Sequence, residues 1–394
     1  MKRITWLYIV AAFYWIGLYT YPAILPIYIQ EIVHDLSLTG AILSMFGLLQ
    51  IFIRLPLGIA SDIFGNRKQF VLLGLIALGI GPLVLSQSTS SLGLFVGRAI
   101  TGIAAGTWVP LSTLILNENP LQVYKTTSIL SFISNFGSAI AVLAAPFLIS
   151  TKLGVSALFI AASVSALFAF VLLVPFKDDK KEHRSNFLFK SLIREITNPL
   201  NVLPGLLCAI VLFGAFATTF TFIPLIGKGL QLTNNQLSSF MISYFIISMI
   251  TNMWLNRISS ARNRMPIAII AFFILGFGVF LTGHSKSYLD LLIAQLAVGL
   301  AYGINFPLLL GFSMSNSKRN SRTITMGIFQ SIYSIGMFAG PPVSTLIAEK
   351  FGISFMSVLV AVFISIVGPL LILLYNDLIL KHAIKQKSDK QSLN

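Results

Sequence analysis

Apolar runs of about 18 residues or more recur from one end of this 394-residue chain to the other, each long enough to cross the hydrocarbon core of a bilayer as a helix. That narrows the choices sharply. Inside lipid every backbone N–H and C=O must find its partner within the segment, so such runs are transmembrane helices. Only 10% of the residues are charged, against roughly 25% in a soluble domain, which excludes a soluble globular protein. The formal charge of +15 would suit a nucleic-acid binder, but the basic residues lie in short loops between the apolar runs, so no nucleic-acid partner is expected. A single cysteine, Cys208, rules out an intrachain disulfide and a multi-cysteine metal site; it reads as a small buried apolar residue. The stretch Trp6 to Ile29 is too long for a signal-peptide core and is followed by no small-residue cleavage site, so it reads as the first span.

Twelve spans fall near residues 6–30, 39–60, 70–87, 92–115, 126–150, 155–175, 203–226, 237–256, 266–283, 289–312, 323–348 and 354–376. With both termini on one side, that side holds 21 of the 27 Lys and Arg residues. The other holds Lys152, Lys228, Lys286 and Lys350, while Arg54 and Arg98 lie within spans. Positive charge stays inside, so both termini are expected in the cytoplasm and the chain in a plasma membrane of bacterial type. Omitting one helix would scatter the lysines over both faces. The segment 176–202 is the one long polar stretch between spans and reads as a solvated linker carrying a short surface helix. It divides the chain into six-helix bundles at 1–175 and 203–376, leaving a polar tail at 377–394 that is expected to fray from Lys381.

The two halves resemble each other. Arg98, Gly102, Gly106 and Pro110 of span 4 are matched by Gln295, Gly299, Gly303 and Pro307 of span 10 at a constant separation of 197. Leu25-Pro26 is answered by Ile223-Pro224, Leu38-Thr39 by Leu232-Thr233, and Lys152-Leu153-Gly154 by Lys350-Phe351-Gly352. Matches at corresponding topological places mark a duplicated bundle with a central site between the copies.

Between spans 2 and 3 stands Gly58-Ile59-Ala60-Ser61-Asp62-Ile63-Phe64-Gly65-Asn66-Arg67-Lys68. Gly58 permits close helix approach, Asp62 ends the helix, Gly65 supplies a tight turn, and Arg67 and Lys68 anchor the loop at the membrane surface. This pattern resembles the loop 2–3 signature of the major facilitator superfamily, and length, span count, central loop and repeat agree with it. The chain is most similar to the twelve-span bacterial drug and metabolite efflux branch of proton antiporters. The resemblance implies an all-α membrane fold of two pseudo-symmetric six-helix bundles. It also implies that Gly58, Asp62, Gly65, Arg67 and Lys68 form a conformational gate, with Asp62 facing the start of span 11 near Thr323–Thr325. Asn66 stands where the family usually has arginine, and the second half, from Asn252 to Arg264, lacks both the glycine and the acid.

Arg98-Ala99-Ile100-Thr101-Gly102 resembles a second family pattern associated with proton-coupled members. A charge within a span is expensive, and a place in the transport cavity is favoured over snorkelling. Arg54, near the cytoplasmic end of span 2, reads as structural, packing against the gate. Exporters carry a glycine-proline motif in span 5. Here Ala145-Pro146 is an alanine version, while Gly336 and Gly340-Pro341 occupy span 11, positions suited to tight packing and bending.

Trp15 and Tyr19 on span 1 and Gln330 and Tyr333 on span 11 fall on single helix faces, and Asn135, Tyr302 and Asn305 add polar groups at similar depth, as do Gln50, Tyr244 and Gln295. Such a cavity suits amphipathic organic molecules. No acid lies at mid-span, which leaves Glu31, Asp35 and Asp290 near the outer helix ends as candidate proton carriers. The four histidines lie in loops or tails, no phosphate-binding loop occurs, and no convergent catalytic set exists, so neither an enzyme nor a metal or cofactor site is expected. Two functions follow as expectations. One is proton-coupled efflux of small amphipathic molecules by alternating access; the other is transport of a specific anionic or zwitterionic metabolite bound by Arg98. A monomer surrounded by lipid suffices for either.

Overall fold

The computed structural model describes residues 3–118, 123–178, 189–255, 264–315 and 322–391. These are overwhelmingly helical. The first expected span is two helices, α1 (Arg3–Tyr19) and α2 (Leu25–Val33). Then come α3 (Leu36–Ile63), α4 (Arg67–Gln87), α5 (Ser91–Gly106), α6 (Trp108–Glu118), α7 (Val123–Ile149) and α8 (Ser156–Leu173). A short helix, α9 (Phe189–Thr197), lies in the linker before α10 (Pro199–Ala217), α11 (Ile223–Gly229), α12 (Asn234–Leu255), α13 (Arg264–His284), α14 (Tyr288–Ser315), α15 (Arg322–Phe351) and α16 (Ile353–Gln391). Among the described residues ten helical stretches are long and apolar enough to cross a membrane. The broken first span and the 30-residue α15 stand beside them. The all-α membrane fold expected from the apolar runs is the fold observed.

Three expected spans are not uniform helices, and proline explains each. Pro22 lies in the gap between α1 and α2, and Pro26 occupies the first turn of α2. At the matching place in the second half, a π-turn over Thr218–Phe222 joins α10 to α11 just before Pro224, whose missing N–H cannot close an α-helical ladder. Span 4 breaks at Thr107, three residues before Pro110. At the other end of the chain the expected fraying is absent. With no glycine or proline after Pro369 and an Asp377–Lys381 pair at 2.6 Å, α16 continues to Gln391.

The repeat is written into the packing. A Cβ on Gly102 would stand 2.9 Å from the carbonyl oxygen of Phe46, and one on Gly299 would stand 2.9 Å from that of Tyr244, so α5 lies on α3 as α14 lies on α12. Gly154 and Gly352 both take a left-handed φ, of 56° and 86°, in the matching turns that precede α8 and α16. The most extensive contact in the molecule runs between α3 and α15 along most of their length, from Gly40 against Pro341 and Thr345 to Leu55 against Gly327. A second contact joins α7 to α12, and α2 touches α11.

Candidate functional site

Aromatic rings form a belt at the centre of the helices. It starts on α3 and ends on α15. Phe46 stacks on Phe216 at 6.4 Å, Phe216 lies 4.7 Å from Phe220, and Phe220 meets Tyr244 at 6.1 Å. Tyr244 is 5.3 Å from Tyr302, Tyr302 is 5.2 Å from Phe306, and Phe306 is 5.7 Å from Tyr333. An arginine closes each end on a ring face. The Arg98 guanidinium sits 4.2 Å from the Phe46 centroid and that of Arg54 sits 4.7 Å from the Tyr333 centroid. From α1, Tyr19 joins the belt edge-on to Phe245 at 5.3 Å and to Phe220 at 6.2 Å, backed by Trp15 and Trp108.

The polar atoms of this layer are short of partners. Arg54 and Arg98 are 4% and 5% exposed, and neither makes an ion pair with a described carboxylate. Arg54 donates to the carbonyl oxygen of Gln330 at 3.4 Å. Their Nε atoms, Trp15 Nε1, Gln50 Oε1, Gln295 Nε2, Gln330 Oε1 and both side-chain polar atoms of Asn305 are buried without a hydrogen bond. An orphaned buried polar atom is destabilising by about 1–3 kcal/mol, so a cluster of them marks a place where water or a ligand supplies the missing partners. The halves differ here. Gln295, at the position matching Arg98, accepts a 3.0 Å bond from Thr219, so one half carries a cation where the other carries an amide.

Several predicted residues therefore meet in one layer: Trp15, Tyr19, Arg98, Tyr302, Gln330 and Tyr333, with Asn305 on the helix of Tyr302. Asn135 is half-buried on α7. Arg54, read as a structural residue of the gate, lies instead against Tyr333. Its helix continues nine residues beyond it, to Ile63, and carries the guanidinium away from the surface. Phe46, Phe216, Phe220 and Phe306 were not singled out from the sequence, because phenylalanine in a span carries no signal of which way it faces.

The gate residues lie at the end of α3. Gly58 is buried, its carbonyl accepting from Ser61, and Gly65 turns the chain with φ of 60°. Arg67 opens α4, while Lys68 bonds the Val174 carbonyl at 2.5 Å and Asp178 at 3.2 Å, tying the loop to the end of α8. The side chains of Asp62 and Thr323 lie outside the described residues, and with them the expected latch. Gly336 and Gly340 let α15 lie against α10, where a Cβ would meet the carbonyl oxygens of Ala209 and Phe213. Pro341 contributes its carbonyl oxygen to Thr345 at 2.9 Å, close to Gly40. Ala145 is fully buried and Pro146 half-buried on α7.

The three acids considered as proton carriers are engaged in structure. Asp35 caps α3, accepting from Leu38 N at 2.7 Å, and Asp290 accepts from the backbone N–H groups of Lys286 and Ser287 at 3.0 and 2.9 Å. Glu31 pairs with Lys228 of α11, across the two halves. At the same face Ser37 of α3 bonds Glu349 of α15. This face, opposite to the one bearing the termini, is closed. A cleft of about 280 Å3 remains there, lined by Ile27, Gln30, Glu31, His34, Leu225 and Lys228.

Comparison with known proteins adds the family. The family model described as Major Facilitator Superfamily matches residues 7–341. An uncharacterised transporter of Buchnera aphidicola subsp. Acyrthosiphon pisum is 28% identical over 315 residues, covering 77% of this chain and 78% of the relative. Another, from Buchnera aphidicola subsp. Schizaphis graminum, is 32% identical over 171 residues, which are 41% of this chain and only 42% of that relative. In fold the chain is similar to the human organic anion transporter MFSD10, with a TM-score of 0.70 at 15% identity over 94% of this chain and 99% of that one.

Proposed function

Since the chain belongs to the Major Facilitator Superfamily and is a membrane transporter of that type, we propose that its cargo is a small amphipathic organic anion, carried by alternating access between the two six-helix halves. One observation carries this reading: two buried guanidiniums end a single aromatic belt and have no described carboxylate beside them. A bare cation in an apolar layer calls for an anion, and the rings accept an apolar body beside it. Arg98 and Arg54 hold the charged group, Tyr302, Tyr333 and Tyr19 flank the body, and Asn305 and Gln330 supply hydrogen bonds. Glu31–Lys228 and Ser37–Glu349, which hold one face shut, support alternating access. By the lysine distribution that face is external and both termini are cytoplasmic. Proton-coupled export of drugs remains the rival reading, favoured by the aromatic lining but lacking an acid among the belt's described residues.

The reading is tested in liposomes containing the purified full chain. Labelled naphthalene-1-sulfonate, whose charge does not depend on pH, is expected to enter vesicles preloaded with the unlabelled anion, and Arg98→Gln and Arg54→Gln to slow its entry at least about tenfold. Arg98→Lys is expected to lose most of it, because a point charge does not reproduce the guanidinium fork. Uptake of tetraphenylphosphonium coupled to a proton gradient, with the sulfonate ignored, would overturn the proposal in favour of drug–proton antiport.

A further inference from the structure

The same two arginines bear on how the empty protein moves. Resting on the organic-anion reading, we propose that the carrier changes sides only when loaded, and is therefore an obligate exchanger of one organic anion for another.

Alternating access passes through a state with both faces closed and the central layer cut off from water. Arg54 and Arg98 already stand 4% and 5% exposed with one face shut. In the sequence, the helices of the belt carry acids only at their extremities: Asp62 on α3, Asp290 on α14 and Glu349 on α15, with none on α10, α11 or α12. Among the described residues no carboxylate pairs with either guanidinium, so none neutralises them when cargo is absent. Quadrupoles of Phe46 and Tyr333 are weak compensation for a full charge. The orphaned atoms of Asn305, Gln330 and Gln50 add their own penalty to an empty, dry layer. An entering anion relieves all of these at once. Its charge answers the cations and its acceptors and donors answer the amides. At the low end of the measured cost of an arginine at mid-membrane, one uncompensated guanidinium in the closed state slows the empty carrier about a hundredfold relative to the loaded one. Return without cargo is thus the slow limb of the cycle, and a second anion waiting on the other side replaces it.

The experiment uses the full chain in liposomes preloaded with labelled naphthalene-1-sulfonate, with potassium and valinomycin clamping the potential so that charge build-up does not limit efflux. Dilution into buffer without anion measures net efflux; dilution into unlabelled naphthalene-1-sulfonate measures exchange. Exchange is expected to be about a hundredfold faster, and a ratio below about ten overturns the proposal. Binding is followed separately by quenching of Trp15 and Trp108, which back the belt at Tyr19. Binding with equal net and exchange rates would sink obligate exchange and leave the anion reading standing; no binding and no flux of either kind would sink both. Arg54→Gln supplies an internal check, since removal of one cation is expected to lower the exchange-to-net ratio at least about fivefold whatever it does to the absolute rates.

Discussion

Replacing Gly47 with alanine puts one carbon where the α3 glycines come nearest to the backbone of α15. The new Cβ would lie 2.4 Å from the backbone nitrogen of Phe338 and 2.7 Å from the carbonyl carbon of Met337, whereas ordinary contact begins near 3.4 Å. Neither atom belongs to a side chain that can rotate away, so the helices must separate at this level by the 1.0 Å difference between 3.4 and 2.4 Å. Overpacking of this kind is destabilising by about 1–3 kcal/mol, which lowers the population of the state in which this face is shut by a factor of about 5 to 150 relative to states in which the two helices diverge. The assay replaces Ser37 and Glu349, already hydrogen-bonded to each other, by cysteines and follows their oxidative cross-linking. Cys208 is buried and contributes no competing thiol. In the Gly47→Ala background the cross-linking rate is expected to fall at least about fivefold, with normal monodispersity in detergent. An unchanged rate would refute the reasoning, because it would mean that the α3–α15 contact is not what closes this face.

Three more outcomes follow from the structure. Lys228→Glu sets two carboxylates against each other and is expected to open the same face by only about 0.2–1 kcal/mol, since both partners are half-exposed; the exchanged pair Glu31→Lys with Lys228→Glu restores cross-linking. Gly102→Ala and Gly299→Ala press a Cβ 2.9 Å from a carbonyl in matching places, so each is expected to lower thermal stability in detergent by a similar amount, about 1–3 kcal/mol; a strong effect at one site with none at the other would contradict the repeat packing. Cys208, fully buried among the helices, is expected to react with a maleimide only after denaturation, and fast labelling of the folded protein would show that α10 faces a water-filled path.

The span pattern was readable because the thickness of a bilayer sets a length that few other structures demand, and the repeat because offsets near 197 survive in glycines and prolines whose places are fixed by packing. Arg98 was readable for the same reason any charge within a span is. Depth was harder. Arg54 was placed near a helix end by counting from the expected boundary at 60, and the true boundary at Ile63 moves it inward. The belt was invisible because rings on five helices of both halves compose it, and helical spacing tells which residues share a face but not which face meets which. Acids at span ends look alike in sequence; only the neighbours distinguish Asp35 and Asp290, which cap helices, from Glu31, which bridges the halves.

Glu31 and Lys228 stand on α2 and α11, the matching helices that carry Leu25-Pro26 and Ile223-Pro224. In the register those prolines set, the counterpart of Glu31 is Gly229 and the counterpart of Lys228 is Gln30, so the reciprocal bridge has no charges to make it. In a dimer of identical halves every contact off the axis occurs twice. A fused chain is free to make one of the two and drop the other, and this ion pair, made once across a duplicated pair of helices, breaks the symmetry of the architecture it closes.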